Sequence, residues 1–178
     1  ACIGHKAKLV FFDNVYLYDI RAIGHMTEES PINPPSKKGQ VRRDIADMLM
    51  REVEGGRVDV LIARAADFYG PNNEKSFLIE VVYKNLLKRK RPNWFVDADK
   101  KHSFTFTPDA ARAVAILGNT PDAFNQVWHL PTDKNALTGR QMAELFMKHM
   151  GVSSRISTLP MWLIKVIGVF VPFMREMP

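Results

Sequence analysis

Cysteine is almost absent from the sequence. Its 178 residues include a single cysteine, Cys2, which excludes an internal disulfide framework and any metal site built from several cysteines. His5, His25, His129 and His149 share no helical or strand spacing with carboxylates, so the sequence predicts no metal site. A reducing, cytoplasmic setting is the expectation that follows.

Long hydrophobic runs are also missing. The most apolar segment, Met161 to Met174, is interrupted by Lys165 and Pro172. It is shorter than the roughly 20 residues that a helix needs to cross a bilayer. The sequence therefore predicts a protein without a membrane partner.

Charge of one sign is only moderately in excess. The formal net charge is +6, and the one dense basic run, Lys88 to Arg91, ends a predicted helix. Cations are favoured at that end of any helix by its dipole. We interpret the run as a solvated helix end and expect no nucleic-acid partner. A basic protein that binds nucleic acid is therefore the least favoured functional hypothesis.

Glycine-rich turns are the last absence. The ten glycines are dispersed along the chain, and no G-x-G-x-x-G pattern occurs. The strand–turn–helix that opens a dinucleotide-binding fold is therefore not in this sequence.

What the sequence does contain is an alternation of strand and helix patterns. The first part predicts, in order, a strand over 8–12 broken by Asp13-Asn14, a loop over 19–37, a helix over 38–54 stopped by Gly55-Gly56, and a strand over 58–63. The apolar face of the helix comprises Val41, Ile45, Met48, Leu49 and Val53.

The second part continues the alternation. It predicts helices over 76–87, 108–118 and 138–150, an apolar helix from Pro160, and strands over 94–96, 103–107, 126–130 and 155–158. Thr107 before Pro108 is typical of an N-cap, and Thr138 with Gln141 forms a capping box. Strands that alternate with helices indicate an α/β fold with a largely parallel sheet.

Several segments carry a resemblance to a known family. KLVFFDNVYLYD, TEESPINP, KKGQVRRDIADML and LIARAADFYGPNN resemble the middle of an extended short-chain dehydrogenase/reductase. This is the NAD-dependent epimerase/dehydratase family, which acts largely on nucleotide sugars. SFTFTPDAARAV, QVWHLP and TGRQMAELF are similar to its later segments, so the resemblance covers nearly the whole chain.

The resemblance implies a fold and a division of the chain. We expect a partial Rossmann-like parallel sheet with helices, plus a small C-terminal α/β substrate lobe. Residues 1–71 would be the C-terminal part of the NAD(P)-binding domain, and 72–178 mostly the substrate lobe, with a Rossmann-associated strand and helix near 103–130. Since the glycine-rich half is missing and strand 8–12 has no predicted neighbour before it, we expect a fragment that holds NAD or NADP weakly by itself.

The resemblance also implies a catalytic set, and this sequence departs from it. The family uses a Ser or Thr after the strand and a Tyr and Lys four apart at the helix start; these fall at Asn14, Lys38 and Arg42. Asn14 keeps a hydrogen-bonding group. Arg42 keeps the cation, and its like charge favours the neutral amine that Lys38 would need as a base. Tyr16 or Tyr18 could substitute for the missing Tyr, although packing is the simpler role for both.

Other positions carry over as binding residues. The resemblance implies cofactor contacts at Phe12, Arg42, Ala65 and Ala66. It implies substrate contacts at Asp67, where the family usually has Asn, and at His102, near an Arg that binds the substrate diphosphate. His102 could equally be a surface histidine, and the cations at the helix start could simply be solvated. Glu28 and Glu29 are interpreted as a turn rather than a catalytic acid pair.

Two main hypotheses follow. The first is an NAD(P)-dependent epimerase/dehydratase-like oxidoreductase that acts on a nucleotide sugar or a related small substrate, with the Tyr–Lys pair replaced. The second is a non-catalytic relative that senses a nucleotide or acts as a scaffold. The resemblance implies a homodimer of the parent protein, formed in part through helix 38–54.

Overall fold

The computed structural model describes residues 1–163, which fall into two compact units. The first unit comprises Ala1–Ala66 and Pro108–Pro131, and the second comprises Asp67–Thr107 and the described residues from Thr132 onward. No helix within residues 1–163 has both the length and the apolar composition that crossing a membrane requires.

The described chain contains seven strands interspersed with helices. The strands are β1 (Leu9–Asn14), β2 (Val60–Ala65), β3 (Asp67–Tyr69), β4 (Asn93–Phe95), β5 (Phe104–Phe106), β6 (Gln126–His129) and β7 (Ser157–Leu159). The helices are α1 (Cys2–His5), α2 (Lys37–Glu54), α3 (Lys84–Leu87), α4 (Thr107–Gly118) and α5 (Gly139–Met150), with a π-helical turn at Ile79–Tyr83 before α3. The predicted α/β class is confirmed.

The first unit is organised around a three-stranded parallel sheet of order β1-β2-β6. The central strand β2 is buried along its whole length. Val60 and Ile62 pack with Ala46 and Leu49 of α2. Complete burial of a side chain such as Ile62 contributes roughly 1.5–3 kcal/mol, so this layer stabilises the unit.

The strand ends differ from those predicted. Asp13 and Asn14 continue β1 instead of breaking it, and β2 spans Val60–Ala65 instead of 58–63. The reason is that Asp13 lies opposite Arg64 in the ladder and pairs with it. A charge that finds a partner across the sheet does not have to end its strand.

Helix α2 confirms the predicted helix and corrects part of its apolar face. The side chain of Ser36 accepts a hydrogen bond from the N–H of Gly39 at 3.1 Å and caps the first turn. Leu49 is buried as expected, but Val41 is 57% exposed and Met48 is 51% exposed. A second apolar stripe of the helix therefore faces solvent.

The second unit contains two small parallel pairs, β3–β5 and β4–β7. Its core includes Leu78, Val82, Trp94, Phe104 and Met147. Short strands that pair only two at a time bury little by themselves, so the aromatic core holds them together.

The two predicted helix starts have different outcomes. The capping box is confirmed: Thr138 accepts from the N–H of Gln141, and the Gln141 side chain accepts from the N–H of Thr138. Thr107 is the first residue of α4 instead of its N-cap, and its hydroxyl donates to the carbonyl oxygen of Tyr69 at 3.0 Å. A helix begins after Pro160 as predicted, but most of the apolar segment 161–174 lies outside the described residues.

Candidate functional site

The polar centre of the first unit lies at the carboxyl ends of its parallel strands. Asp13 of β1, Arg64 of β2 and His129 of β6 are successive neighbours across the sheet. In open α/β sheets, ligands bind outside these strand ends. The position alone makes this cluster a candidate site.

Arg64 connects the members of the cluster. Its Nε lies 3.2 Å from Oδ2 of Asp13, and both side chains are almost completely buried. Its Nη1 donates to the hydroxyl of Tyr18 at 2.7 Å, while its guanidinium carbon lies 5.0 Å from the centre of the same ring. A buried guanidinium with a carboxylate, a hydroxyl and an aromatic face around it is held rigidly.

Tyr18 and His129 extend the network towards the third strand. The Tyr18 hydroxyl and Nε2 of His129 lie 2.8 Å apart. Burial raises the pKa of Tyr18 despite the charge and hydrogen bond of Arg64, and burial lowers the pKa of His129. Tyr18 is therefore protonated at neutral pH, and because its oxygen accepts from Arg64, its proton is left to be donated to His129.

Glu28 joins the network at His129. Its carboxylate accepts a hydrogen bond from the backbone N–H of His129 at 2.7 Å. Burial by itself would raise the pKa of Glu28, but that hydrogen bond, together with the charges of His129 and Arg64, lowers it on balance. The predicted turn at Glu28 and Glu29 is confirmed, and Glu28 also fixes the end of β6.

Helix α2 brings Arg42 to the same carboxylate. Its Nη1 lies 3.8 Å from Oδ1 of Asp13, close enough for an ion pair but too far for a hydrogen bond. That oxygen is buried and makes no hydrogen bond within the described residues. The Arg42 side chain is 38% exposed. Asp13 therefore stands between a buried guanidinium and a solvent-accessible one.

The other predicted catalytic positions lie at the end of β1 and in the first turn of α2. Asn14 ends β1, and its side-chain oxygen accepts from the N–H of Tyr16 at 3.0 Å. Lys38 is exposed in the first turn of α2, four residues before Arg42 and hence on the same face. Tyr18 is packed in the core, whereas Tyr16 is 43% exposed.

The predicted cofactor positions occupy the ends of the two paired strands. Phe12 is 46% exposed and lies opposite Ala63 in the ladder. Ala65 is buried opposite Asn14, and Ala66 follows it. The structure thus places Asn14 and Ala65 opposite each other at the carboxyl ends of β1 and β2.

The predicted substrate residues lie in the second unit, where the structure brings them together. Nε2 of His102 is 2.9 Å from a carboxylate oxygen of Asp67. The His102 ring stacks on Phe77 with an interplanar angle of 6° and lies 4.5 Å from the ring of Phe104. Its backbone N–H donates to the carbonyl oxygen of Leu137. His102 is a well-oriented residue with 40% of its side chain exposed.

A cavity of about 390 Å³ opens beside His102 within the second unit. Its described lining is Tyr69, Gly70, Ser76, Leu78, Ile79, His102, Phe104, Asp133, Asn135, Ala136, Leu137, Met142, Leu145 and Phe146. The size falls in the range of small-molecule sites.

The network of Asp13, Arg64 and His129 was not predicted from the sequence. A usable signal was present: each of the three strands that form the sheet has a charged or titratable residue in its last or next-to-last position, in KLVFFDN, VLIARA and QVWH. Such residues at the carboxyl ends of parallel strands meet at one edge. Within residues 1–163, no group of three or more His, Cys, Asp or Glu side chains is arranged to hold a metal ion.

Comparisons with known protein families and with curated proteins give no match. Solved structures do match. The UDP-glucuronic acid 4-epimerase of Bacillus cereus, in complex with NAD, is 19% identical with a TM-score of 0.80, and the alignment covers 89% of this chain and 52% of that one.

Two further structures give a similar result. The UDP-N-acetylglucosamine 4-epimerase of Methanobrevibacter ruminantium, in complex with UDP-N-acetylmuramic acid, is 16% identical with a TM-score of 0.78, covering 89% of this chain and 52% of that one. The dTDP-glucose 4,6-dehydratase of Bacillus anthracis, in complex with NAD, is 19% identical with a TM-score of 0.74, covering 86% and 50%. The chain spans about half the length of the structures it matches.

Proposed function

Because the chain has the fold of the NAD-dependent epimerases and dehydratases among the short-chain dehydrogenases/reductases, we propose that it is part of an NAD(P)-dependent oxidoreductase. The chain supplies the later part of the nucleotide-binding domain and the substrate lobe. Its substrate is a nucleotide sugar or a related small molecule. A single cysteine and the absence of a membrane-crossing helix within residues 1–163 support the further proposal of a cytoplasmic enzyme.

The observation that carries this proposal is the Asp13–Arg64 pair with Arg42 beside it. The buried pair of Asp13 and Arg64 requires desolvation of both charges at the strand ends. The Arg42 guanidinium beside this pair stays at the surface and is available to a ligand. Asp13 therefore acts as a positioning residue that holds Arg42 at the place where a cofactor would lie.

The residues present are compatible with a nicotinamide cofactor. Arg42 would bind a ribose hydroxyl or a phosphate, and Phe12, Ala65 and Ala66 would form the apolar and backbone surface beside the ring. When bound, NAD(P) supplies the hydride acceptor or donor.

Proton transfer is assigned to Lys38 and substrate orientation to Asn14. Lys38 lies in the first turn of α2, on the face that it shares with Arg42, and is exposed enough to reach a substrate. Asn14, held by its bond to the N–H of Tyr16, keeps its amide N–H₂ for a substrate oxygen.

The test is nicotinamide turnover by the complete polypeptide that contains this chain. Binding of NAD and NADP is measured by calorimetry, and oxidation or reduction is followed by nicotinamide absorbance with a panel of nucleotide sugars and simple alcohols.

We expect Lys38→Ala to lower kcat about 10²–10⁴-fold, the usual effect of losing a positioned acid/base. The neighbouring Lys37→Ala, also exposed in the first turn, is the matched control and should retain activity. A wild-type protein that binds neither NAD nor NADP would contradict the proposal.

A non-catalytic sensor or scaffold is the second candidate. It is favoured by the position of Tyr18, which is buried and bonded to both Arg64 and His129 and so does not replace the missing tyrosine. Cofactor binding with no turnover in the wild-type protein, and unchanged cofactor affinity in Lys38→Ala, would support this candidate over the first.

A further inference from the structure

The cavity of the second unit has a lining unlike that of a phosphate site. Most of its described lining is apolar, including Leu78, Ile79, Phe104, Met142 and Phe146. At about 390 Å³, it is large enough for a two-ring compound or a branched aliphatic group. Burial of such a group is driven by the removal of apolar surface from water.

The polar part of the lining is small and carries no fixed positive charge. Tyr69, Ser76, His102, Asp133 and Asn135 supply it, and the described lining contains no lysine or arginine. Diphosphates are bound by guanidinium, ammonium or helix N-terminal groups. Asp133, an exposed residue of the lining, adds a negative charge that does not favour an anion.

The side chain of His102 is held in an orientation that suits contact with an uncharged ligand. Asp67 binds its Nε2 at 2.9 Å, and Phe77 and Phe104 hold the ring from its faces. The carboxylate of Asp67 compensates any positive charge that the imidazole acquires, so the pair as a whole adds no net positive charge to the cavity. One fixed imidazole in an apolar cavity is suited to a hydroxyl or a carbonyl group.

A groove adjoins the cavity and does not change the charge of the lining. It shares Leu137 and Leu145 with the cavity and adds Gln141, Glu144 and Lys148. Glu144 and Lys148 have opposite charges, so the groove contributes no net positive charge.

We propose that this cavity binds the uncharged, apolar part of a small substrate that bears a hydroxyl or carbonyl group beside His102, and that it does not bind a nucleoside diphosphate. The redox role of this ligand rests on the proposed function, whereas the binding chemistry rests on the cavity alone. Of the two substrate classes named in the proposed function, a nucleotide sugar or another small molecule, we therefore expect the second, in the form of a hydrophobic alcohol or ketone.

The experiment is a calorimetric titration of the complete polypeptide with 2-naphthol and, separately, with UDP-glucose. Leu145→Asp places a carboxylate in the lining at a residue that is 44% exposed, so the fold should tolerate it. Leu87→Asp is the matched control, because Leu87 ends α3 in the same unit, is 58% exposed and lies outside the cavity.

We expect 2-naphthol to bind wild type and Leu87→Asp equally and Leu145→Asp at least tenfold more weakly. UDP-glucose should bind the wild type at least tenfold more weakly than 2-naphthol does, with no response to Leu145→Asp. The inference is overturned if 2-naphthol fails to bind the wild type, if it binds all three proteins alike, or if UDP-glucose is the tighter ligand and loses affinity in Leu145→Asp.

A separate NAD titration distinguishes failure of this inference from failure of the proposed function. Binding of 2-naphthol without NAD affinity leaves the cavity assignment standing and contradicts the oxidoreductase. NAD affinity together with UDP-glucose binding that is weakened in Leu145→Asp leaves the oxidoreductase standing and contradicts the cavity assignment.

Discussion

At the scale of single residues, Arg64 is the side chain on which the first unit depends most. It is 3% exposed and contacts both Asp13 and Tyr18. Arg64→Met would leave the Asp13 carboxylate buried without its hydrogen-bonded cation, and we expect a loss of about 3–5 kcal/mol in the free energy of unfolding. Urea denaturation followed by circular dichroism measures it.

Two variants make this comparison sharper. Arg57→Met removes an arginine that pairs with Glu52 at the surface and should leave the free energy of unfolding close to that of the wild type. The double variant Asp13→Leu/Arg64→Met removes both buried charges and should be more stable than Arg64→Met alone. Equal losses for Arg64→Met and Arg57→Met would show that the buried network does not stabilise the unit.

At the scale of elements, the N-terminus of α2 is set by a close approach at Gly39. A Cβ there would lie 2.7 Å from the Cβ of Pro34 and closer still to the carbonyl oxygen of Tyr16. Gly39→Ala should therefore lower stability by about 1–3 kcal/mol through overpacking, although alanine favours a helix by roughly 1 kcal/mol.

The control for this prediction is Gly4→Ala. Gly4 lies in α1, and a Cβ there would meet nothing within 4 Å. Thermal melting should show an unchanged or slightly higher midpoint for Gly4→Ala and a lower one for Gly39→Ala. A rise for both would mean that the loop before α2 adapts freely, and that Lys38 and Arg42 are not held in place by this contact.

The sequence predicted the order of these elements better than their ends. Helix α2 and the capping box of α5 follow from local signals, namely periodicity and a Thr138–Gln141 pair. The extension of β1 through Asp13 does not, because it depends on Arg64, which is 51 residues away in the chain. The exposure of Met48 is also beyond a local pattern, since periodicity identifies an apolar face but not how much of it is covered.

At the scale of the whole molecule, the same limit applied to the candidate site. The resemblance identified Asn14, Lys38, Arg42, Asp67 and His102 one position at a time. Asp67 and His102 meet across β3 and β5 only once the second unit is folded. The network around Arg64 requires three strands in register, and the titratable residues near the strand ends do not by themselves give that register.

Assembly is the remaining property at this scale, and α2 carries the surface that would mediate it. Val41 and Met48 lie seven residues apart on one face of the helix and are 57% and 51% exposed. An exposed apolar stripe of this kind is typical of a surface that another protein covers. We propose that a second copy of the parent protein covers it, and that the parent is a homodimer in solution.

Met48→Asp tests this proposal because it places a charge within the stripe, where an unpaired carboxylate opposes burial. We expect size-exclusion chromatography with light scattering to report a dimer for the wild-type parent and a shift of at least tenfold in the dissociation constant towards monomer for Met48→Asp. Ile116→Asp is the matched control, since Ile116 is 68% exposed on α4 of the same unit. A monomeric wild type, or equal dissociation in both variants, would mean that the stripe on α2 does not form the dimer.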